Sequence, residues 1–202
     1  KIVTKTPVIK KDVITKETAE TFRSAFEDSL DFLGLTSVYG VLVHHGGDLL
    51  NSGGQHLIRH LEALKQEYLV EKIGVSIYSG DEIDAILERF IPDIVQLPFN
   101  AADQRLIESG HLAKLKNLGV EIHARSIFLQ GVLLQEPDEL PEFFAPIRKN
   151  LKQFGASACE HGVSKREICI ASALAPPEID TVLVGVTCLT ELEEIFETVA
   201  NI

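Results

Sequence analysis

The sequence lacks several features that mark common classes of protein. It contains no methionine and only three cysteines, Cys159, Cys169 and Cys188, which are odd in number and widely spaced. Such spacing disfavours a disulfide framework or a zinc knuckle and favours buried free thiols in a reducing cytosol. No apolar run approaches the roughly 20 residues that span a bilayer, and no basic-then-apolar leader opens the chain. We therefore expect a cytoplasmic protein that does not bind membranes.

Positive charge is also scarce. The chain has 19 lysines and arginines against 30 aspartates and glutamates, which gives a net charge of -11 over 202 residues. A nucleic-acid groove needs a basic surface to neutralise phosphates, so no nucleic-acid partner is expected. A small anionic ligand remains compatible with this charge, because a few local cations suffice to bind it.

The chain does contain a regular alternation of short apolar runs and helical patterns. Between the strands, apolar residues recur at three- and four-residue steps, as they do on one face of a helix. Repeated β-α-β connections force parallel strands with right-handed crossovers. No break in composition divides the chain, so residues 1–202 are expected to form a single domain. The predicted strands lie at about 1–6, 38–43, 72–76, 93–97, 120–125 and 181–184.

These units fit either an open doubly wound sheet or a closed barrel. A dinucleotide-binding sheet should show a GxGxxG fingerprint after its first strand, and the chain has none. A (β/α)8 TIM barrel usually needs about 250 residues. Six units in 202 residues therefore predict the C-terminal part of such an α/β barrel, holding strands 3–8 and their helices. The missing initiator methionine agrees with an N-terminal truncation.

Polar residues stand at the ends of the predicted strands, where α/β barrels build their active sites. Alternation along the fifth strand directs Glu121, His123 and Arg125 into the barrel. The adjacent His44 and His45 must point to opposite faces, so at most one of them faces straight inward. Few carboxylates lie at these ends, which disfavours a metal site and favours an anionic or carbonyl ligand. The polar strand ends are Lys5, His44-His45, Ser76, Gln96, His123 and Arg125.

Several of these residues lie in short stretches that occur together in one known family. Taken in chain order, these stretches resemble the aldo/keto reductase family over essentially the whole length of the chain. Within that family, the chain resembles bacterial members linked to surface-polysaccharide and sugar metabolism. The stretches include Ile2-Val3-Thr4-Lys5, Leu42-Val43-His44, Ile73-Gly74-Val75-Ser76, Val95-Gln96-Leu97-Pro98-Phe99-Asn100, Ala124-Arg125-Ser126, Gln130-Gly131-Val132-Leu133 and Leu192-Glu193-Glu194.

The resemblance implies an oxidoreductase that transfers hydride from NADPH or NADH to a small aldehyde or ketone. In the family a tyrosine donates the proton, a lysine lowers the pKa of that tyrosine, an aspartate pairs with the lysine and a histidine orients the carbonyl. Lys5 matches the lysine and His44 the histidine. A cation beside a phenol favours the phenolate, which agrees with the role of the lysine.

The same resemblance implies the residues that bind the cofactor. Ser76 and Gln96 match positions that hold the nicotinamide carboxamide. Arg125, Ser126 and Glu194 are expected to contact the cofactor as well, although Arg125 stands where the family often has an aromatic ring.

The sequence departs from the family at two further points. The family's aspartate and tyrosine precede the lysine strand, so they fall before Lys1 and this segment by itself lacks them. No lysine or arginine follows Gly185 to hold a 2′-phosphate, so NADP is favoured by the family alone and NAD remains open.

Other interpretations remain open beside this one. Arg125 is explained equally well as an ion-pair partner of Glu121 and as a ligand contact. The glycine-rich stretch 46–54 is interpreted as a flexible loop.

A metal-dependent barrel hydrolase is a second possible function, and it would use His44, His45, His123 and Asp48. A third possibility is a barrel that binds a nucleotide or a sugar without turnover.

Overall fold

The computed structural model describes residues 1–9 and 12–202. Within them, six parallel strands form one sheet whose order follows the chain. The six predicted strands are therefore confirmed, although the last one is shorter than expected. The strands are β1 (Val3–Lys5), β2 (Val38–Val43), β3 (Val70–Ser76), β4 (Ile94–Pro98), β5 (Glu121–Arg125) and β6 (Thr181–Val182).

Helices separate the strands, as the periodicity predicted. The described residues also contain two short 3-10 segments, Val132–Leu134 and Glu142–Ile147. The α-helices are α1 (Lys16–Leu33), α2 (Gly46–Leu50), α3 (Gln55–Gln66), α4 (Gly80–Leu87), α5 (Arg105–Glu108), α6 (His111–Asn117), α7 (Arg148–Glu160), α8 (Lys165–Leu174) and α9 (Leu189–Asn201).

Local side-chain chemistry explains where the helices begin and end. Thr15 caps α1, because its side-chain oxygen accepts a hydrogen bond from the backbone N–H of Thr18 at 3.2 Å. Gly34 ends the same helix in the left-handed conformation, with φ of 65°. Ser79 and Glu82 form a capping box at the start of α4, in which each side chain bonds the other residue's backbone N–H.

Two helical segments differ from the prediction. The apolar pattern between β4 and β5 predicts one helix over about 103–118, but the structure has two, α5 and α6, because Gly110 adopts a left-handed conformation with φ of 77°. The stretch 46–54 is not simply a flexible loop, since α2 occupies its first five residues. A Cβ atom on Gly46 would lie 3.1 Å from Ile86 Cδ1, so this glycine permits close packing of α2 on α4.

The described residues fall into two compact units, and the expectation of a single domain stays a prediction. The first unit comprises residues 1–97 and 106–123, and the second comprises residues 98–105 and 124–202. Buried aliphatic side chains of the strands and helices fill the core of the first unit. The core cluster of the second consists of Val132, Leu133, Leu140, Leu151 and Cys169.

All three cysteines are free, as the sequence indicated. Cys169 is buried, and burial raises the pKa of its thiol to about 11. The expectation of buried thiols is wrong for Cys159 and Cys188, which are exposed because they lie on helix surfaces or ends rather than in the core. Among the described residues, no helix has the length and apolar character needed to cross a membrane.

Candidate active site

The register of the first four strands decides which polar strand ends share a face of the sheet. Leu42 pairs with Lys5 on one side and with Gly74 on the other. Paired residues in neighbouring strands point to the same face, and side chains alternate along each strand. His44 follows the last residue of β2, and alternation continued from Leu42 would put it on this face and His45 on the opposite one.

His45 also has a structural role of its own. It stands immediately before α2, and its ring covers Gly47, where a Cβ atom would lie 2.7 Å from His45 Cε1. The two histidines therefore have different surroundings. The backbone N–H of His44 is bonded to Thr6, whereas the ring of His45 lies against Gly47 at the start of α2.

Two further polar strand ends of the first unit, Ser76 and Gln96, lie on the same face, whereas His123 does not belong to this group. Ser76 pairs directly with Gln96, and both side chains are buried, with 2% and 4% of their surface exposed. His44 is exposed and Lys5 is half-buried. The structure thus brings four predicted residues to one edge and one face of the sheet, which we call the carboxyl-edge set: Lys5, His44, Ser76 and Gln96.

Thr6 is a supporting residue that sequence reasoning missed. Its side-chain Oγ1 accepts a hydrogen bond from the backbone N–H of His44 at 3.1 Å, and its own N–H donates to the carbonyl oxygen of Leu42 at 3.0 Å. Thr6 therefore fixes the backbone at the point where His44 leaves β2. Its position directly after Lys5 was the only signal for this role.

Asp48 is buried, but its contacts are not those of a metal ligand. One of its carboxylate oxygens accepts the backbone N–H of Ile9 at 3.2 Å, and burial raises the pKa of the carboxyl group. Over the part of the chain that the structure describes, no group of three histidines, cysteines or carboxylates is placed to hold a metal ion. The hydrolase alternative therefore gains no support from His44, His45 and Asp48.

A second polar cluster lies toward the amino ends of the strands of the first unit. The carboxylate of Glu121 accepts hydrogen bonds from the Tyr39 hydroxyl at 2.6 Å and from His123 Nε2 at 2.7 Å. It also forms an ion pair with the Lys72 ammonium. We call Tyr39, Lys72, Glu121 and His123 the amino-edge cluster. Sequence reasoning placed Glu121 and His123 inside but missed Tyr39.

The contacts of the amino-edge cluster converge on Glu121, whereas Nδ1 of His123 is buried without a hydrogen-bond partner. Burial acts to raise the pKa of Glu121, but the hydrogen bonds from His123, Lys72 and Tyr39 outweigh burial and lower the pKa to about 2. The same contact with Glu121 raises the pKa of Lys72. Glu121 thus has Lys72 as an ion-pair partner. Arg125, which the sequence also suggested as a partner of Glu121, donates from Nη1 to Ser126 Oγ at 3.4 Å.

In the second unit, the loop that follows β5 has a strained backbone. Among the described residues, four that are not glycine have positive φ, and three of them lie in this loop: Ser126, Leu129 and Gln130, at 60°, 48° and 54°. Such conformations cost about 1–3 kcal/mol each and concentrate at functional sites. The Leu129 N–H donates to the Ser126 carbonyl at 2.8 Å, and the buried Asn100 amide reaches the same carbonyl at 3.5 Å.

This loop lines a cavity of about 450 Å³ in the second unit. The segment after β6 and residues of α8 and α9 complete its wall. The volume falls within the roughly 300–1,000 Å³ typical of small-molecule sites. The lining combines apolar side chains with hydroxyl and amide groups, among them Phe128, Leu183, Ser126 and Gln130.

Gly185 borders open space in the wall of the cavity. Its φ lies outside the left-handed region, and a Cβ atom there would meet nothing within 4 Å. Among the chain's 14 glycines, Gly185 alone combines these two properties. Neither backbone conformation nor packing therefore requires a glycine at this position. A side chain at residue 185 would extend into open space.

The charged groups around this cavity are paired within the second unit. Arg166 lines the cavity, and its Nη2 donates to a carboxylate oxygen of Glu194 at 2.5 Å. Sequence reasoning missed Arg166, because nothing in the sequence of α8 distinguishes it from a surface arginine. Glu194, predicted as a cofactor contact, is connected to the cavity through Arg166, and Ser126 lines the cavity directly.

Comparison with known proteins agrees with this fold. Residues 1–201 match the model of the aldo/keto reductase family. The L-galactose dehydrogenase of Arabidopsis thaliana is 28% identical over an alignment of 187 residues that covers 87% of this chain and 57% of that protein.

Solved structures show the same fold. The apo and holo forms of the aldo-keto reductase AKR11C1 from Bacillus halodurans are each 21% identical to this chain, cover 98% of it, and superpose with TM-scores of 0.75 and 0.78. The chain covers 64% and 65% of those two structures, so it spans less than two thirds of the length of these relatives. The predicted α/β fold of the TIM-barrel class is confirmed. The chain belongs to the aldo/keto reductase family.

Proposed function

We propose that the protein is an oxidoreductase that transfers hydride between a nicotinamide cofactor and a small aldehyde or ketone. The observation that carries the proposal is the cavity beside the strained loop after β5, where Gly185 leaves space for a ligand against the backbone. Membership of the aldo/keto reductase family supports the reaction class. The holo form of AKR11C1 supports cofactor binding on this fold.

The bound cofactor, NADH or NADPH, supplies the hydride. Ser76 and Gln96 match family positions that hold the carboxamide of the nicotinamide ring, and their burial on one face suits two polar groups that bind another polar group away from water. Arg125, Ser126 and Glu194 match further cofactor-binding positions. Among these, Ser126 lies in the cavity wall.

Lys5 and His44 are proposed as the catalytic residues of this chain. The imidazole of His44 is exposed at the end of β2, so it is accessible to orient a carbonyl oxygen. The ammonium of Lys5 lies on the same face and would favour ionisation of a neighbouring tyrosine hydroxyl, the proton donor in this family. The family position of that tyrosine precedes Lys1.

The substrate class is proposed from the relatives. The name of one relative, L-galactose dehydrogenase, makes sugars the first carbonyl compounds to test. We further propose that the protein acts in the cytoplasm, where free thiols such as Cys159 and Cys188 remain reduced, and that it does not bind nucleic acid, because its net charge is -11.

The test is titration of the protein, at its complete natural length, with NADH and NADPH, followed by nucleotide fluorescence. Micromolar binding of at least one nucleotide is expected, and Gln96→Ala should weaken it about tenfold or more. Gln66→Ala, an exposed glutamine at the end of α3, is the matched control and should bind as the wild type does.

Failure of the folded protein to bind either nucleotide would refute the proposal. Binding without oxidation of NADH or NADPH in the presence of sugars, aldehydes and ketones would favour a non-catalytic nucleotide-binding barrel instead.

A further inference from the structure

Three side chains outside the candidate active site form a chain of polar contacts that the proposed function does not use. The hydroxyl oxygen of Ser109 lies 2.7 Å from Nδ1 of His111. Nε2 of the same ring lies 3.3 Å from Oδ1 of Asp84. All three residues belong to the first unit, and we call them the serine triplet.

The turn between α5 and α6 brings the serine and the histidine together. Ser109 and His111 flank Gly110, which adopts the left-handed conformation with φ of 77° just before α6 begins. The N–H of Gly110 donates to the carbonyl oxygen of Ile107 at 2.8 Å, which fixes the turn. Glycine adopts this conformation without steric cost, so the turn is stable and holds the two side chains in contact.

Helix α4 holds the other side of the His111 ring. A Cβ atom on Gly80, the first residue of α4, would lie 2.3 Å from Cε1 of His111, so the ring fits against the backbone only because residue 80 is glycine. Asp84 lies four residues further along the same helix, on the same face. The ring is therefore packed against α4 and directed at a carboxylate, and the His111 side chain is only 17% exposed.

The carboxylate of Asp84 is ionised. The ammonium of Lys114 donates to its Oδ1 at 2.7 Å. The hydrogen bonds from Lys114 and from His111 outweigh burial and lower the pKa of Asp84. An ionised carboxylate accepts hydrogen bonds and donates none, so it selects the tautomer of His111 that carries hydrogen on Nε2. Nδ1 is then left as an acceptor for the Ser109 hydroxyl.

We propose that Ser109 is a nucleophile toward small carboxylic esters, with His111 as its general base and Asp84 as the residue that positions the His111 ring. A hydroxyl within hydrogen-bond reach of a base that a third group orients is the arrangement by which unrelated folds activate serine. Ser109 is exposed, so an ester can reach its oxygen. The activity is separate from hydride transfer and does not depend on the proposed function.

The reaction needs only the ester and water. Ser109 Oγ bonds to the carbonyl carbon of the ester while Nδ1 of His111 takes the hydroxyl proton. The bond from that carbon to the alcohol oxygen breaks, and the leaving oxygen takes the proton from His111, which yields an acyl-serine and an alcohol. Water then attacks the acyl-serine and gives a proton to Nδ1. That proton returns to Ser109 Oγ as the carboxylic acid leaves.

The first test treats the protein, at its complete natural length, with a fluorophosphonate, which attaches its phosphorus to an activated serine oxygen and releases fluoride. Peptide mass spectrometry locates the label. Ser109 should be labelled in the folded protein and not in urea, since only the folded chain holds the serine triplet together. His111→Gln should slow the labelling at least about tenfold, because a general base contributes at least that much.

His161→Gln is the matched control for the loss of a histidine. Its Nδ1 lies 2.8 Å from a backbone carbonyl oxygen, that of Ser157, rather than from a hydroxyl. This variant should be labelled at Ser109 at the wild-type rate.

Asp84→Asn tests the positioning role. Nitrogen NMR of the His111 ring should show hydrogen on Nε2 in the wild type and a mixture of tautomers in the variant, whose labelling should be slower. An unchanged tautomer with an unchanged labelling rate would contradict the role of Asp84.

The second test measures hydrolysis of p-nitrophenyl acetate after the exposed thiols of Cys159 and Cys188 have been alkylated, because thiolates also attack this ester. Ser109→Ala, at an exposed position, should keep the fold and abolish the remaining enzymatic hydrolysis.

The inference would be overturned by equal labelling of Ser109 in the folded and unfolded protein, or by no labelling at all. Hydrolysis that Ser109→Ala leaves unchanged would also overturn it. A protein that binds neither NADH nor NADPH but is labelled at Ser109 would refute the proposed function and leave this inference standing.

Discussion

The first unit has polar groups at both ends of its strands, but the two ends are built differently. In the amino-edge cluster, the carboxylate of Glu121 is contacted by three donors, from Tyr39, Lys72 and His123. In the carboxyl-edge set, Ser76 and Gln96 are buried, while Lys5 and His44 are more accessible. Similar residue types thus occur at both edges of the same sheet.

The difference shows how to separate a structural polar cluster from a functional one. Removing one partner from a group of buried, mutually bonded charges leaves the others unpaired and destabilises the fold. Contacts of more exposed side chains, such as Lys5 and His44, contribute less to stability because water screens them. We therefore expect variants at the amino edge to change stability, and variants at the carboxyl edge to change activity.

The largest expected effect is on turnover. Lys5→Met should lower kcat by about 10²–10⁴-fold, the range over which general acid–base catalysis contributes. The midpoint of thermal unfolding should change little. Steady-state kinetics on a carbonyl substrate and circular dichroism measure the two effects on the same sample.

Lys149→Met is the control for this charge removal, because Lys149 is exposed on α7. Its kcat should equal that of the wild type. If Lys5→Met retained the full kcat, Lys5 would have no catalytic role.

The second effect is on stability at the amino edge. Glu121→Ala should lower the free energy of unfolding by about 2–3 kcal/mol, because Lys72 and His123 lose their common partner. Urea denaturation measures this loss, with Glu20→Ala on the exposed side of α1 as the control. A change below about 0.5 kcal/mol would show that the cluster does not stabilise the unit.

The same cluster predicts the direction of a pH effect. The pKa of Glu121 is about 2 in the folded protein, against an ordinary value of 4.5. A carboxyl group whose pKa is lowered by folding stabilises the folded state at any pH above its ordinary pKa. This stabilisation is lost as the pH falls through the pKa of the folded state. Between about pH 4.5 and 2, Glu121→Gln should therefore lose less stability than the wild type, as measured by acid denaturation.

The third effect is on cofactor binding in the second unit. Gly185→Leu should raise the dissociation constant of the bound nucleotide at least about tenfold, because the new side chain fills space that the ligand needs. Folding should be unaffected, since a Cβ atom there meets nothing. Val186→Leu adds bulk at the next residue, which does not line the cavity, and should bind normally. Unchanged binding by Gly185→Leu would place the nucleotide elsewhere.

The smallest effect again concerns the amino edge. Tyr39→Phe removes only the hydroxyl that donates to Glu121, while Lys72 and His123 remain. A loss of about 1 kcal/mol in the free energy of unfolding is expected, the usual contribution of one hydrogen bond. Tyr68→Phe is the control, since that side chain is 88% exposed. Equal losses in both variants would contradict the role of the Tyr39 hydroxyl.

Sequence reasoning predicted the strands well because each is a short apolar run with a polar residue near its end. It did not decide between His44 and His45, because both parities of β2 are apolar. The register of β2 with β1 and β3 favours His44, because continued alternation from Leu42 would put it on the face of Lys5. The division of α5 from α6 was also missed, since Gly110 interrupts an otherwise continuous apolar pattern.

The contacts between distant segments were beyond sequence reasoning. Tyr39 and Glu121 are 82 residues apart, and Arg166 and Glu194 are 28 apart. Only tertiary packing brings such side chains together. The roles proposed for the carboxyl-edge residues follow from the family resemblance, whereas the pairing of Arg166 with Glu194 needed the folded chain.

The burial of Cys169 provides a chemical reporter of folding. Its thiol lies among Val132, Leu133 and Leu151, and its raised pKa leaves almost no reactive thiolate at neutral pH. Exposed Cys159 and Cys188 are accessible to thiol reagents in the native protein. The rate at which a third equivalent of reagent is consumed therefore times the opening of the core in the second unit, without any added label.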